Sequence, residues 1–207
     1  MEIVTRTFER LLTSKTIEDV EKILDDLKID KKNRMDDKVY PRLKFKITKQ
    51  EIEELKEKGV ITADNLLADL SNADPLTKLL YSVSWKNGDL KKVKHIIEGI
   101  VSGQQDEKEN GLVFYQFGKY LTKKPGEPII DQHVLRAFGV YKANGDKEKL
   151  DRLKRLSLIT KKEKELIDQY KLWLRTDLTR ELRDNDNYSY HVDKVLFAVG
   201  KSIKEKS

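Results

Sequence analysis

Apolar residues recur three and four positions apart along almost the whole chain, and a capping residue opens run after run, so nearly every segment reads as helix. Thr16-Ile17-Glu18-Asp19 starts a run with Val20, Ile23, Leu24 and Leu27 on one face. Thr48-Lys49-Gln50-Glu51 is a capping box ahead of Ile52 and Leu55, with Gly59 as its stop. Asp74-Pro75 begins an apolar helix carrying Leu76, Leu79, Leu80, Val83 and Trp85 and closed by Asn87-Gly88. Asp89 is expected to cap the next helix, which holds Leu90, Val93, Ile96, Ile97 and Ile100 before Gly103. Beyond the polar stretch 104–110, residues 112–121 form another helix, ended by Lys123-Lys124-Pro125-Gly126. The last third predicts a helix around Leu150, Leu153 and Leu156, a long one after the capping box Thr160-Lys161-Lys162-Glu163, and a final one through Val192, Val195, Leu196 and Val199. Only residues 41–47 alternate with period two, so the expected fold class is all-α, with at most one short strand pair near the N-terminus.

A chain of 207 residues is long enough for a real core in one domain or two small ones. Charged and hydrophobic residues each make up 38%, which predicts a densely charged surface over helices rather than disorder. The surplus of 42 Lys and Arg over 36 Asp and Glu, a net charge of +6, permits a polyanionic partner without demanding one. Cysteine is absent, which excludes disulfides, thiolate metal sites and cysteine nucleophiles. His95, His133 and His191 share no short ligand spacing, so no metal is expected. The first six residues contain no apolar signal core and no run approaches membrane length; the expectation is a cytoplasmic protein that makes no use of a membrane.

One stretch combines these elements with chemistry. In Pro128-Ile129-Ile130-Asp131-Gln132-His133-Val134-Leu135-Arg136-Ala137-Phe138, the proline interrupts what precedes it, and Asp131 occupies the N-cap of a helix whose apolar stripe is Val134, Leu135 and Phe138. Asp131 is either a cap alone or a cap that also works: a carboxylate held by backbone N–H groups at a helix start stays ionised and can face a cation that develops during a reaction.

The segment Ile130-Asp131-Gln132-His133-Val134-Leu135-Arg136 resembles the aspartate motif of the helix-hairpin-helix DNA glycosylase superfamily, the endonuclease III-like and archaeal 8-oxoguanine glycosylase-like enzymes, in which hydrophobic-Val-Asp-x-His/Arg-Val-x-Arg is typical. The helix from Asp74 to Val83 looks like the Pro-Phe-x-x-Leu helix that begins the glycosylase core. The helix Tyr190-His191-Val192-Asp193-Lys194-Val195-Leu196 is similar to the closing helix of divergent members. The likeness covers residues 74–207 and leaves 1–73 as an N-terminal helical region of unassigned role; it implies a two-lobed helical fold. It also implies an activity on DNA: a damaged or modified base is flipped out, and Asp131 stabilises an oxocarbenium-like transition state and activates water.

The same likeness implies that the base pocket draws on Trp85, Tyr115, Phe117 and His133, and that backbone contacts come from Gly103, Gly111, Lys119, Lys123, Lys124 and Arg136. Bifunctional members use a Schiff-base lysine in the hairpin. Here that slot falls near Asn110, and Lys108 is a close neighbour, so Lys108 is the second catalytic candidate and a monofunctional reaction without cofactor is expected. Two departures stand out. The four-cysteine iron–sulfur loop of many members cannot exist in this chain, and Asp106, Glu107 and Glu109 lie where the family's hairpin holds a phosphate. The alternative is a catalytically inactive relative that serves as a DNA- or protein-binding module.

Overall fold

The computed structural model describes residues 2–68, 70–71, 73–103, 110–143 and 145–205. The protein is all-α, with eleven α-helices and no strand ladder among these residues. They are α1 Glu2–Thr13, α2 Ile17–Asp26, α3 Lys49–Glu57, α4 Pro75–Lys86, α5 Leu90–Val101, α6 Leu112–Leu121, α7 Gln132–Lys142, α8 Lys147–Lys154, α9 Lys164–Thr176, α10 Arg180–Arg183 and α11 Tyr188–Ser202. None of them is long and apolar enough to cross a membrane.

The capping chemistry behaves largely as its residues dictate. Thr16 and Thr48 form complete capping boxes with Asp19 and Glu51, and Thr160 with Glu163 closes a box on a short 3-10 turn that runs into α9. Asp74 accepts from the backbone N–H groups of Leu76 and Thr77, with Pro75 in the first turn. Asp89 is different. Its backbone lies at φ −96°, ψ 2° rather than in the extended region a capping side chain requires, and its carboxylate pairs instead with Lys92 at 2.5 Å. Residues 41–47 run without regular structure and form no strand pair. Phe45 is exposed there, so no sheet face is available to bury, and Ile47 N–H donates to Leu121 O at 3.0 Å. The one strand-like pairing among the described residues is an isolated bridge between Ile61 and Leu67.

The chain divides into two compact units, 1–43 with 124–207, and 44–123. The division therefore does not fall at 73/74: Asp74 caps a helix inside the second unit, and the first unit takes in chain from both sides of it. In the first unit α7 and α11 cross, with α2 against α11 and α1, α8 and α9 against α7. Its core is aromatic at one end, where Phe8 stacks on Tyr141 with ring centroids 3.9 Å apart and meets Trp173 edge-on at 5.2 Å, and where Phe138 packs on Tyr170 at 5.0 Å. Val192, Val195, Leu196 and Val199 of α11 complete it.

In the second unit α5 and α6 cross with their backbones in contact. A Cβ at Gly99 would lie 2.0 Å from Tyr115 O, and one at Gly118 2.1 Å from Ile96 O, so any larger side chain at either position would force the helices apart. α3 adds the buried Ile52.

Candidate active site

Asp131 is presented by residues 125–130, a segment too short and proline-rich to make its own secondary structure. Its order comes from the helices of the first unit. Glu127 is buried and forms an ion pair with Lys171 at 3.2 Å and a second, shorter one with Arg175, both on α9. Its carbonyl accepts from Ser189 Oγ on α11 at 3.3 Å. Two residues on, Ile129 N–H donates to Asp193 Oδ2 at 2.7 Å, and Asp193 Oδ1 is bonded to the hydroxyl of Tyr170 at 2.6 Å. Backbone and side-chain ties to two helices thus fix the segment on both sides of Pro128.

Asp131 then takes the N-cap of α7 in extended conformation, φ −131° and ψ 155°, and Oδ1 accepts from His133 N–H at 2.6 Å. Among the described residues Oδ2 takes no hydrogen bond, and the side chain is half-buried. The adjacent Gln132 Oε1 is buried and also takes none. His133 Nδ1 is 2.5 Å from Arg136 Nη1; because guanidinium can only donate, Nδ1 accepts and the ring proton sits on Nε2. The imidazole stands edge-on to Phe197, with centroids 4.9 Å apart.

Arg136 is fully buried. Nη1 also donates to Gly200 O at 2.8 Å and Nη2 to Leu156 O. Gly200 O is one of the last carbonyls of α11, which have no partner within the helix, so Arg136 acts as a cationic cap there. At Gly200 the backbones of α7 and α11 are in contact: a Cβ there would lie 1.8 Å from His133 O.

Burial sets the charge states around this carboxylate. It pushes the Asp193 carboxyl up to about 8, against the Tyr170 and Ile129 hydrogen bonds and with a contribution from Asp131. His133 is lowered, first by burial and then by Arg136, Lys201 and Lys204, while Asp131 opposes. Arg136 is lowered by burial, again opposed by Asp131. At neutral pH Asp193 is therefore protonated and His133 neutral, and Asp131 is the acid that both Arg136 and His133 face.

The other expected site residues are distributed differently. Asp131, His133 and Arg136 are brought together as expected, but the Arg136 Nη groups are given to two carbonyls and an imidazole inside the core, its buried Nε has no partner, and the fully buried side chain is not open to a phosphate. Lys119 is buried as well, and its Nζ donates to Gly103 O at 3.1 Å, tying α6 to the end of α5 instead of facing DNA. Tyr115 is a core residue at 7% exposure, beneath Lys119 Nζ, and Phe117 lies beside Tyr120 at 6.1 Å. Trp85 is exposed on α4. These aromatics, with Gly103, Gly111 and Lys123, belong to the second unit, whereas Lys124 and the Asp131 group belong to the first. Gly111 is the left-handed N-cap of α6. Lys123 sits 4.0 Å over the Tyr120 ring, and Lys124 is exposed. Lys108 lies outside the described residues. No group of three or more His, Asp and Glu that would suit a metal occurs among the described residues.

Glu127, Tyr170 and Asp193 were not singled out in the sequence. The signal for Asp193 was present: it shares a helical face with Ser189, Leu196 and Gly200, an acid on a stripe of small and apolar residues.

The fold and site define an all-α protein with one carboxylate held at a helix start above a buried arginine. Compared with known proteins, the chain matches no family model, no curated protein and no solved structure.

Proposed function

We propose that the protein is a monofunctional DNA glycosylase that hydrolyses the N-glycosidic bond of a damaged or modified base, with Asp131 as the carboxylate beneath the sugar. The observation that carries this reading is the division of labour within one side chain: Oδ1 is committed to the helix N-terminus, while Oδ2 remains available on a segment anchored from α9 and α11. A carboxylate so positioned stabilises positive charge developing at the anomeric carbon without reorganising during the reaction. The C1′–N bond breaks with its electron pair going to the base, water bonds to C1′, and the water proton passes to Asp131 Oδ2 before leaving with the departing base. His133 Nε2–H supplies a donor two residues on in sequence.

The test is incubation with duplexes bearing uracil, 8-oxoguanine, alkylated or hypermodified bases, followed by detection of free base. Asn caps a helix nearly as well as Asp, so Asp131→Asn should leave the melting temperature almost unchanged and reduce base release by orders of magnitude. Full activity in that variant would reduce Asp131 to a cap and remove the mechanism.

The burial of Lys119 and Arg136 favours a second reading, since it removes two of the expected phosphate contacts: a catalytically inactive relative that binds DNA or protein. DNA binding by the wild type with no base released from any duplex of the panel would support it.

A further inference from the structure

Helix α11 ends beside the Asp131 site and carries two lysines there. Lys201 Nζ lies 5.8 Å from the centroid of the Phe197 ring, the same ring to which His133 stands edge-on, and the charges of both Lys201 and Lys204 are felt at the His133 imidazole. Lys201 gives one hydrogen bond, to Lys32 O at 2.9 Å, and keeps two of the three N–H groups of its ammonium. Lys204 is exposed, and its side chain makes no hydrogen bond or ion pair among the described residues. Cations at the end of a helix ordinarily serve the carbonyls left open there. In α11 that work is already done: Gly200 O accepts from the buried Arg136, and Val199 O and Lys201 O accept from Ile203 N–H. Neighbouring acids do not cancel the charge either. Glu205, next to Lys204 in sequence, is held by Lys154 at 2.8 Å, and Asp30 is held by Lys32 at 3.0 Å.

We infer that this end of α11 is the phosphate seat of the proposed glycosylase: Lys201 and Lys204, with His133 Nε2–H, take a backbone phosphodiester next to the nucleotide whose sugar lies over Asp131. The inference rests on that reading of Asp131 and removes a difficulty in it. An ionised carboxylate beneath a sugar repels the phosphates on either side of that sugar, so cations have to stand close by to offset it. Arg136 and Lys119 do not, because both are buried. Lys201 and Lys204 belong with Asp131 to one compact unit, and the backbone contact of α7 with α11 at Gly200 fixes their distance from it. His133 suits the same ligand. Burial first, then Arg136, Lys201 and Lys204, keep the imidazole neutral against the pull of Asp131, and with Nδ1 accepting from Arg136 its proton is on Nε2, a donor for an anionic oxygen. Such a contact positions the strand and reads no base.

Binding of a short undamaged duplex to the full chain tests this without any turnover. Measured by fluorescence anisotropy over a salt series, Lys201→Gln with Lys204→Gln should lower the slope of log affinity against log salt by about two, and Lys204→Gln alone by about one. The Lys204 side chain holds nothing in place, so the single variant should keep the wild-type melting temperature, and its loss of slope is not a loss of fold. Proton NMR of the imidazoles supplies a second readout, with His95 and His191 as internal references. Bound phosphodiester offsets the two lysines, so the pH at which His133 titrates should rise by about 0.5 or more in the wild type and stay put in the double variant. Inorganic phosphate at the same phosphate concentration should leave it unmoved, for a lone ion lacks the flanking contacts of a strand. A salt slope unchanged in both variants overturns the inference, as does a His133 that ignores the duplex. A full shift with inorganic phosphate and none with duplex would assign a free-phosphate site and equally overturn it. Loss of slope in the variants, with no base released by the wild type from any damaged duplex, supports the phosphate seat and removes only the reaction; base release with the slope unchanged removes the seat and leaves the reaction standing.

Discussion

Raising the pH from 4 to 9 should destabilise this protein through a single carboxyl. Asp193 is buried with no cation against it; its partners are the Tyr170 hydroxyl and Ile129 N–H, and its native value near 8 lies far above the 3.8 of a free aspartate. A raised acid contributes its full share of stability below pH 3.8, where both states are protonated. Between 3.8 and about 8 the unfolded chain sheds the proton while the native state retains it, and stability falls by about 1.4 kcal/mol per pH unit. Above about 8 both states are ionised and the loss levels off at something on the order of 5 kcal/mol, a large part of the 5–15 kcal/mol typical of a folded protein. Asp193→Asn isolates the effect. Its amide oxygen can accept from Ile129 N–H and its NH2 can donate to the Tyr170 oxygen, so both contacts survive while the titration disappears. Urea denaturation of both proteins at each pH gives a difference curve from which titrations common to both, including those of His133 and His191, cancel. The two should agree within about 1 kcal/mol at pH 4, and the variant should be the more stable by several at pH 8. Parallel stability curves across the whole range would show that Asp193 is not held protonated, and the charge assignment around Asp131 would fail with it.

Three further perturbations probe the same architecture. Gly200→Ala forces the α7–α11 crossing apart and should cost about 2–4 kcal/mol in urea denaturation; an unchanged midpoint would mean the helices are not in backbone contact. Arg136→Lys cannot reach Gly200 O, Leu156 O and His133 Nδ1 together, and should destabilise by roughly 3 kcal/mol despite keeping its charge; near-wild-type stability would contradict the capping role. Lys123→Gln with Lys124→Gln should lower the slope of log affinity for duplex DNA against log salt by about one to two, weakening binding almost equally across sequences, and absence of any binding at low salt would rule out DNA as the partner.

What the sequence made legible was local. The boxes at Thr16, Thr48 and Thr160 and the caps at Asp74 and Asp131 are decided within four residues, and each appears where its spacing places it. Asp89 shows the limit of that rule, because a lysine three residues on competes for the same carboxylate. The support of the Asp131 segment was beyond local reading: Asp193 reaches Ile129 from 64 positions away, and Glu127 meets Arg175 across 48. Arg136 is expected at a DNA backbone from its motif alone, which gives no hint that α11 ends against it.

The division of the chain also sets an order of events at the ribosome. Residues 44–123 are contiguous and can collapse as they emerge, with α5 and α6 closing on each other across a short separation. The first unit has no such freedom. α1 and α2 are made early and touch each other, but the rest of their apolar faces packs on α7 and α11 and waits until translation has passed Gly200. A nascent chain arrested between α6 and α7 should therefore present Phe8, Leu11 and Val20 to chaperones while the second unit is already protected from protease, and the site around Asp131 is among the last features of the molecule to come into being.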